Sequence, residues 1–393
     1  MIARFFSAPN GGLMQNDLLF VTDEIISYDY TKRWSSVGDF TMVLPFRDEF
    51  LSSLTINGTI GYDDDWLFVQ GISHNGDTIT LTGKDCKGLL DLRITEYGGT
   101  SVAGAEGYDV VSGTTAQCVK HYLDANAVIS DADIEAYIQA HMPTATEEEK
   151  NATRAAMRAR RLPVSWNSES VSGLVSDSYM ARLEYLSEVI NKLCDGANLG
   201  YDVRAQGYQH YYKFTLLQGT NRSFSQSSNP RIIFTPSWGN VRGMTFDHGV
   251  SDLYNMIYAV DVNDVTSPIS RDSEIPSGVM RRECTVSVSV SSTDPSTADY
   301  FAKYALEQVE SNTETHSYTI VPTTAGYGTD YTLGDIVTVL EPVTGNQYNA
   351  TITEVTKTYA QGRQDITIVL GSQKKKPLQK IVNDLISGTA RRR

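Results

Sequence analysis

Alternating apolar and polar residues dominate the first ninety-five positions of the chain. Segments such as FTMVLPF (40–46), WLFVQGI (66–72) and TITLTG (78–83) have the period of two that is typical of strands with one buried face. Six strand-like segments lie between Asp17 and Ile94, and Asn75-Gly76-Asp77 marks a hairpin turn between the last two. This spacing of short strands predicts a small β-barrel or sandwich over residues 1–95.

Helical patterns follow in residues 96–240, after a glycine-rich loop. A threonine with glutamine or glutamate three residues later has the spacing of a capping box, which predicts helix starts at Thr114 and Thr146. The second of these helices, in EEEKNATRAAMRARR (147–161), is charged and has few large apolar residues, so it is expected to lie at the surface. A further helix, ending near Gly196, is predicted from an apolar stripe formed by Leu183, Leu186, Ile190 and Leu193. With the hairpin-like strands at 200–219, this region is a predicted α+β middle domain.

Strand patterns return in residues 241–372. The Ser/Thr-Val alternation of TVSVSVSS (285–292) fits a sheet with one polar face, and a helix is predicted near 296–311. Four further strands follow, with turns at Gly328, Gly345 and Gly362. We therefore expect a second β-barrel domain over 241–372.

The last segment, 373–393, combines basic residues with apolar residues at helical spacing. The apolar stripe consists of Leu378, Ile381, Val382, Leu385 and Ile386. This pattern predicts an amphipathic helix that binds a partner protein, with a membrane surface as the alternative. The predicted fold class is therefore α+β, mainly β, with two small β-barrel domains flanking an α+β middle region and a C-terminal amphipathic helix.

The charge of the chain restricts its partners. The formal net charge is −14, although the last twenty residues hold seven basic residues and only one acid, Asp384. Because binding a polyphosphate needs clustered cations, the negative charge of the rest of the chain argues against binding of nucleic acid by the folded domains. The N-terminus lacks the pattern of a signal peptide and no apolar run is long enough to span a bilayer, so we expect synthesis in the cytoplasm and no membrane span.

No motif predicts a catalytic, cofactor or metal site. The six histidines show no metal-ligand spacing, and the four cysteines lie far apart without a CxxC pair. Cys118 lies three residues before His121 on a predicted helix, which we interpret as a coincidence rather than a nucleophile with its base. The acidic run Asp63-Asp64-Asp65 lacks the spacing of a calcium loop and is interpreted as a solvated hairpin tip.

Several segments together resemble one protein family. They are KRWSSVGDFTMVLP (32–45), DDWLFVQGI (64–72), ITLTGKDCKGLLDLRI (79–94), the region 231–260, and YGTDYTLGDIVTVLEPVTGNQYNATITEVTKTY (327–359). This set resembles the tail hub proteins, also called baseplate hub or tail-associated proteins, of long-tailed bacteriophages. The resemblance implies a homotrimer in the virion tail whose two similar barrels per subunit form a ring of six. The implied partners are a distal tail or tail tube protein above and a tail tip, fibre or spike protein below, with DNA passing through the ring without specific binding. Compared with this family, residues 129–161 look like an atypical helical insertion in the middle domain.

In this context, the stretch from Lys32 to Phe46 is interpreted as scaffold. Gly38 is expected to permit a close turn, and Trp34 to cover the end of the barrel. Along the following strand, Phe40, Met42 and Leu44 are expected to point inward. Two other function classes stay open at this point: a tail-associated cell-wall hydrolase, and a receptor- or carbohydrate-binding tail module.

Overall fold

The computed structural model describes most of the chain and divides it into two compact units. The described residues are 2–8, 17–95, 109–166, 176–181, 183–205, 211–249, 256–261, 264–272, 280–288, 315–323, 326–342, 345 and 347–371. One unit comprises Met1–Met244 and Thr319–Leu370, and the other comprises Thr245–Tyr318 and Gly371–Arg393. The predicted glycine-rich loop, the helix near 296–311 and the C-terminal helix lie outside the described residues. The predicted domain boundaries at 95, 240 and 372 stay predictions.

The N-terminal strands form an antiparallel sheet in the first unit. They are β1 (Ala3–Phe6), β2 (Leu18–Thr22), β3 (Ser27–Arg33), β4 (Asp39–Pro45), β5 (Thr59–Tyr62), β6 (Asp65–His74) and β7 (Thr78–Asp85), with helix α1 (Asp48–Ser53) after β4. Their order is β3-β4-β7-β6-β5-β1-β2. The six strands predicted in this region are confirmed, whereas β1 had no strand prediction. The end strands of this path, β2 and β3, are joined in sequence by residues 23–26 alone.

The inward residues of these strands share one apolar core. On β4, Phe40, Met42 and Leu44 are buried while Thr41 is exposed, which confirms the predicted alternation. Every one of the seven strands except β2 supplies fully buried residues to this core, and Phe20 of β2 packs against it. The hairpin at Asn75 is also confirmed: its side-chain oxygen accepts hydrogen bonds from the backbone N–H groups of Asp77 and Thr78.

The middle region combines helices with two small sheets. Its elements are a 3-10 helix (Cys86–Leu92), β8 (Asp109–Thr114), α2 (Thr115–Leu123), a π-helical turn (Asp124–Val128), α3 (Asp131–His141), α4 (Glu147–Ala159), β9 (Val164–Trp166), β10 (Ser176–Ala181), α5 (Leu186–Ala197), β11 (Leu199–Ala205) and β12 (Tyr212–Gln218). Strands β8 and β10 pair with each other, and the second sheet has the order β11-β12-β9. Both predicted capping boxes are present, at Thr114 and Thr146. The predicted helical insertion corresponds to α3 and α4, with a small apolar core that includes Ile134, Ile138 and Met157.

The predicted start of α5 is wrong. Leu183 lies before the helix, with a φ of 53° and 60% of its surface exposed, so it is no part of the apolar stripe. The preceding chain is instead held as an extended bridge, because Ile94 pairs with Tyr185 and the N–H of Leu186 donates to the carbonyl of Arg93. These backbone hydrogen bonds leave Leu186 as the first residue of the helix.

The C-terminal strands continue the N-terminal sheet. The elements are β13 (Ile233–Phe234), a 3-10 helix (Pro236–Trp238), β14 (Val241–Gly249), β15 (Met256–Asp261), β16 (Asp264–Asp272), β17 (Glu283–Val288), β18 (Thr315–Pro322), β19 (Ile336–Leu340), β20 (Gln347–Ala360) and β21 (Arg363–Gly371). Strands β15, β16 and β17 form a separate sheet in the second unit. The main sheet runs β14-β18-β21-β20 and then into β3, while the first half of β20 pairs with β19, which pairs with β13.

The fold is mainly β with an α+β middle, as the sequence predicts. Glycines at the three predicted turns have positive φ, 87° at Gly328, 72° at Gly345 and 79° at Gly362. As in the N-terminal path, the end strands of the C-terminal path are consecutive in sequence, since residues 235–240 alone separate β13 from β14. In the residues that the structure describes, the hydrogen-bonded strand order is a path with two ends rather than a closed ring.

Candidate functional site

Trp34 lies where the N-terminal, middle and C-terminal segments of the first unit meet. It follows β3 directly and is 6% exposed. A Cβ atom added to either Gly200 of β11 or Gly334 before β19 would overlap the indole, so both glycine backbones lie directly against the ring. The backbone N–H of Trp34 donates to the carbonyl of Thr353 at 2.9 Å, and the backbone N–H of Tyr201 donates to the carbonyl of Trp34 at 3.3 Å. One residue thus holds three segments that are distant in sequence.

A buried ion cluster lies close to this tryptophan in the sequence and the fold; it consists of Lys32, Asp65, Asp202 and Lys357, together with the half-exposed Arg204 at its edge. The Nζ of Lys32 lies 3.0 Å from Asp202 Oδ2 and 3.4 Å from Asp65 Oδ1. Lys357 Nζ lies 2.5 Å from Asp65 Oδ2, and Arg204 Nε lies 2.7 Å from Asp202 Oδ2. These side chains come from β3, β6, β11 and β20, so the cluster connects the same three segments as the tryptophan.

The pKa values of Lys32 and Asp202 are shifted toward the charged form of each residue. Burial is the strongest influence on the pKa of Lys32 and lowers it, but attraction to Asp202 and Asp65 outweighs burial, so this pKa is raised above its ordinary value. Burial likewise raises the pKa of Asp202, but attraction to Lys32 and Arg204 holds this pKa well below its usual range. Removal of Lys32 would leave Lys357 as the remaining cation beside Asp65 and Arg204 as the remaining cation beside Asp202.

A second buried pair, Lys87 and Asp85, supports the loop after β3. Lys87 Nζ donates to the carbonyl of Arg33 at 2.6 Å and to that of Ser36 at 2.5 Å, and it lies 3.3 Å from Asp85 Oδ2. Burial raises the pKa of Asp85 to about 6, although the charge of Lys87 opposes this shift. A Cβ at Gly38 would collide with Asp85 and with the β3 backbone, so the glycine is required by close approach rather than by a left-handed conformation.

The segment before β19, Leu333-Gly334-Asp335, is fixed by its aspartate. Asp335 is 1% exposed. Its carboxylate accepts hydrogen bonds from the N–H of Thr220 at 2.8 Å, from Nε of Arg222 at 2.8 Å and from the N–H of Thr332 at 3.0 Å. Because one buried carboxylate ties two loops together, Gly334 is held firmly in its place against the tryptophan.

Comparison with known proteins places the chain in a family. The family described as "Siphovirus ReqiPepy6 Gp37-like protein" matches residues 15–271 and 287–372. The chain belongs to this siphovirus family. The residues around Trp34, Gly200 and Gly334 all fall within the matched ranges, and the matched region ends one residue before the segment 373–393. No curated protein matches the chain.

Two solved structures have a fold similar to that of the chain. The 43 kDa tail protein of prophage MuSo2 from Shewanella oneidensis is 10% identical, with a TM-score of 0.53 over 95% of this chain and 99% of that chain. The tail protein from Neisseria meningitidis MC58 is 12% identical, with a TM-score of 0.50 over 95% of this chain and 98% of that chain. The chain therefore has the fold of these tail proteins, and the resemblance to phage tail proteins that the sequence predicts is confirmed.

The acidic hairpin Asp63-Asp64-Asp65 of this siphovirus protein is only partly solvated, in contrast to its prediction. Asp63 and Asp64 are exposed, and Asp63 has a φ of 51° at the tip between β5 and β6. Asp65 is 3% exposed and belongs to the buried ion cluster, so its interpretation as a solvated residue is wrong. The sequence holds no local signal for this, because the two lysines that bind it, Lys32 and Lys357, lie far away along the chain.

The Cys118 and His121 side chains, considered from the sequence as a nucleophile and its base, bind other residues instead of each other. His121 Nε2 lies 2.8 Å from Asp109 Oδ1, whereas the thiol of Cys118 is directed to the carbonyl of Gly113 at 3.9 Å. Within the described residues, no group of three or more His, Cys, Asp or Glu side chains is placed to hold a metal ion. No helix in the described ranges is long and apolar enough to cross a membrane. The predicted partner-binding stripe, Leu378 to Ile386, lies outside the described residues.

Proposed function

We propose that this chain is a structural protein of the virion tail, namely the hub that joins the six-fold tail tube to the three-fold tail tip. Membership of the siphovirus family and the tail-protein fold support the placement in a tail. In this proposal three copies form a ring, and each copy contributes two β-barrel modules to a channel for DNA. Three chains with two modules each would match the six subunits around a tube.

The observation that carries this proposal is the junction around Trp34. The N-terminal strands and the C-terminal strands are joined by the pairing of β3 with β20, from Arg33 with Glu354 to Ser27 with Ala360. The buried ion cluster and the tryptophan fix this pairing to the middle region. A ring subunit needs such rigidity, because two modules that moved independently could not hold a six-fold surface at a constant spacing.

The negative net charge of the chain provides a physical reason why DNA could pass through the proposed channel without binding to it. If carboxylates outnumber cations along the lumen, like-charge repulsion keeps DNA from adhering while it slides through. Neutralisation of lumen acids is then expected to slow DNA ejection, and unchanged ejection kinetics would contradict this part of the proposal.

The segment 373–393 is proposed to bind a neighbouring tail protein through Leu378, Ile381, Val382, Leu385 and Ile386. Deletion of Lys374 to Arg393 is expected to leave the melting temperature of the protein unchanged, because the segment follows the last strand of the sheet. The same deletion is expected to reduce the yield of infectious particles. Normal particle yields from the deleted gene would refute this assignment.

Electron microscopy of labelled virions tests the placement. A tagged chain that complements loss of its own gene is expected to carry gold label at the distal end of the tail tube. Label along the tube, or none on purified virions, would contradict the hub position. Peptidoglycan degradation or host-cell binding by the purified protein would instead favour the hydrolase or the receptor-binding alternative.

A further inference from the structure

The chain contains three Asn-Gly pairs, and the structure places two of them in different surroundings. These two are Asn57-Gly58, just before β5, and Asn75-Gly76, between β6 and β7, whereas Asn10-Gly11 lies outside the described residues. An asparagine before glycine is prone to lose its side-chain amide, because the following residue has no side chain that would obstruct its backbone nitrogen. The two pairs are equal in this respect, so a difference in their reactivity must come from the fold.

Loss of the amide is a reaction between two neighbouring residues, and its only co-reactant is water. The backbone nitrogen of the glycine gives up its proton to hydroxide and attacks Cγ of the asparagine side chain. The bond between Cγ and the amide nitrogen breaks, and that nitrogen takes a proton from water and leaves as ammonia. Water then opens the resulting succinimide ring at either carbonyl, which gives aspartate or isoaspartate. The reaction therefore needs a free glycine nitrogen and an accessible Cγ.

The side chain of Asn75 is held in a reactive arrangement. Its oxygen accepts hydrogen bonds from the backbone N–H groups of Asp77 at 3.0 Å and Thr78 at 2.8 Å, and from Oγ1 of Thr78 at 3.2 Å. These bonds fold the side chain back over the turn. They also withdraw electron density from Cγ and stabilise the negative charge that the oxygen acquires during the attack.

The backbone nitrogen of Gly76 is free to attack. In the part of the chain that the structure describes, its N–H donates to no acceptor. Gly76 is exposed, with a φ of 93°, and no heavy atom lies within 4 Å of the position that a Cβ would take. Both requirements of the reaction are therefore met at this hairpin.

The corresponding groups at Asn57 are occupied. The N–H of Gly58 donates to the carbonyl of Thr55 at 3.0 Å, and Gly58 is buried. Two further bonds fix the backbone to β6, because Asn57 donates to the carbonyl of Val69 at 2.8 Å and Val69 donates to the carbonyl of Gly58 at 2.9 Å. Attack by this nitrogen first requires the loss of its hydrogen bond, which corresponds to a reaction about tenfold slower.

We propose that Asn75 is a site of spontaneous deamidation in the folded protein and that Asn57 is not. The substrate is the side-chain amide of Asn75, and the products are aspartate and isoaspartate at the same position. This inference is independent of the proposed function, since it depends only on the fold of the two turns.

The two products have different effects on the hairpin. Aspartate keeps the side-chain oxygens that bind Asp77 and Thr78, so the turn is retained. Isoaspartate adds a carbon atom to the main chain between β6 and β7. The carbonyl of Asp77, which accepts the N–H of Phe46 at 2.9 Å, is then displaced. Isoaspartate therefore disturbs both the hairpin and the chain that follows β4.

Incubation of the purified full-length protein in mildly alkaline buffer tests this inference. Mass spectrometry of peptides from samples taken over time measures the loss of amide at each asparagine, and labelling by an isoaspartyl methyltransferase measures isoaspartate. In the folded protein, Asn75 is expected to react about tenfold faster than Asn57, or more. The control is the same protein in concentrated urea, where the two rates are expected to converge.

Two outcomes of the incubation would overturn the inference. One is equal rates at Asn57 and Asn75 in the folded protein. The other is an intact amide at Asn75 in the folded protein while both asparagines react in urea, which would show that the turn protects this side chain. A rate at Asn75 that does not rise with pH would contradict attack by the deprotonated nitrogen of Gly76.

Substitutions at the turn provide an independent readout. Thr78→Val removes one of the three donors to the side-chain oxygen and is expected to slow the reaction at Asn75 several-fold without changing the rate at Asn57. An unchanged rate at Asn75 would contradict the activating role of these hydrogen bonds. Asn75→Asp is expected to keep the melting temperature of the wild type, because the carboxylate accepts the same hydrogen bonds; a large decrease would contradict the proposed effect of the aspartate product.

Discussion

The indole of Trp34 occupies the space in which a Cβ atom of residue 334 would lie, so Trp34 and Gly334 form one contact between two sequence motifs. Trp34 belongs to the segment KRWSSVGDF and Gly334 to the segment LGD, 300 residues further along the chain. The contact explains why both motifs occur in one protein: the ring of one fits only against the bare backbone of the other. It also locates the rigidity that the hub proposal requires.

Replacement of Gly334 by Ala is expected to destabilise the protein strongly. Its φ of 93° already costs a non-glycine residue about 1–3 kcal/mol, and overlap with the indole adds a further cost of about 1–3 kcal/mol. Urea unfolding of Gly334→Ala measures the sum. The control is Gly345→Ala, where φ is 72° but no heavy atom lies near the added Cβ, so the strain alone is expected. Equal losses in the two variants would contradict the contact.

Replacement of Phe40 by Ala is expected to lower the free energy of unfolding by about 3–5 kcal/mol, the usual loss for a buried phenylalanine. Phe40 is 3% exposed and faces the core of the N-terminal sheet. The neighbouring Thr41→Ala serves as the control, since an exposed substitution usually changes stability by less than about 0.5 kcal/mol. An unchanged melting temperature in Phe40→Ala would show that the burial is wrong.

The variant Lys32→Met is expected to lose about 1–3 kcal/mol, because Asp65 and Asp202 each lose a buried cationic partner and keep only Lys357 and Arg204. The double variant Lys32→Met/Asp202→Asn is expected to recover part of this loss, since it removes the carboxylate whose remaining cation, Arg204, is half-exposed. Arg47→Met breaks an exposed ion pair and is expected to leave the melting temperature nearly unchanged. Additive losses in the double variant would argue against the buried ion cluster.

The pH dependence of stability is expected to change in Asp85→Asn. In the folded protein the pKa of Asp85 is raised to about 6, so between its unfolded value and pH 6 the folded state binds more protons than the unfolded state. The contribution of Asp85 to the free energy of unfolding is therefore largest at low pH, and it is lost as the pH rises through 6. From pH 7 to pH 5 the wild type is expected to gain on the order of 1 kcal/mol relative to Asp85→Asn. Parallel stability curves would contradict the raised pKa.

Elements with local signals could be predicted from the sequence. The capping boxes at Thr114 and Thr146 and the hairpin at Asn75 depend on residues within four positions of each other, and all three are present. The inward face of β4 also follows from its own alternation. Local hydrogen bonds and periodic burial decide these features, so the surrounding fold has little opportunity to override them.

Features that depend on distant partners could not be predicted. Asp65 resembles its exposed neighbours until β3 and β20 bring Lys32 and Lys357 beside it. Leu183 fits the apolar stripe of α5, but the bridge between Ile94 and Tyr185 keeps the chain extended up to the helix. The pairing of β3 with β20 could not be predicted either. The sequence shows two separate β-rich blocks, but it does not show which strand of one block pairs with which strand of the other.

The mass of the purified full-length protein in solution tests the hub proposal most directly. Light scattering after size exclusion distinguishes a single 43.4 kDa chain from three, which together weigh about 130 kDa. A mass of three chains that persists on dilution is the predicted result. A single-chain mass across a wide range of protein concentrations would contradict the proposal that the isolated chain forms a trimeric ring.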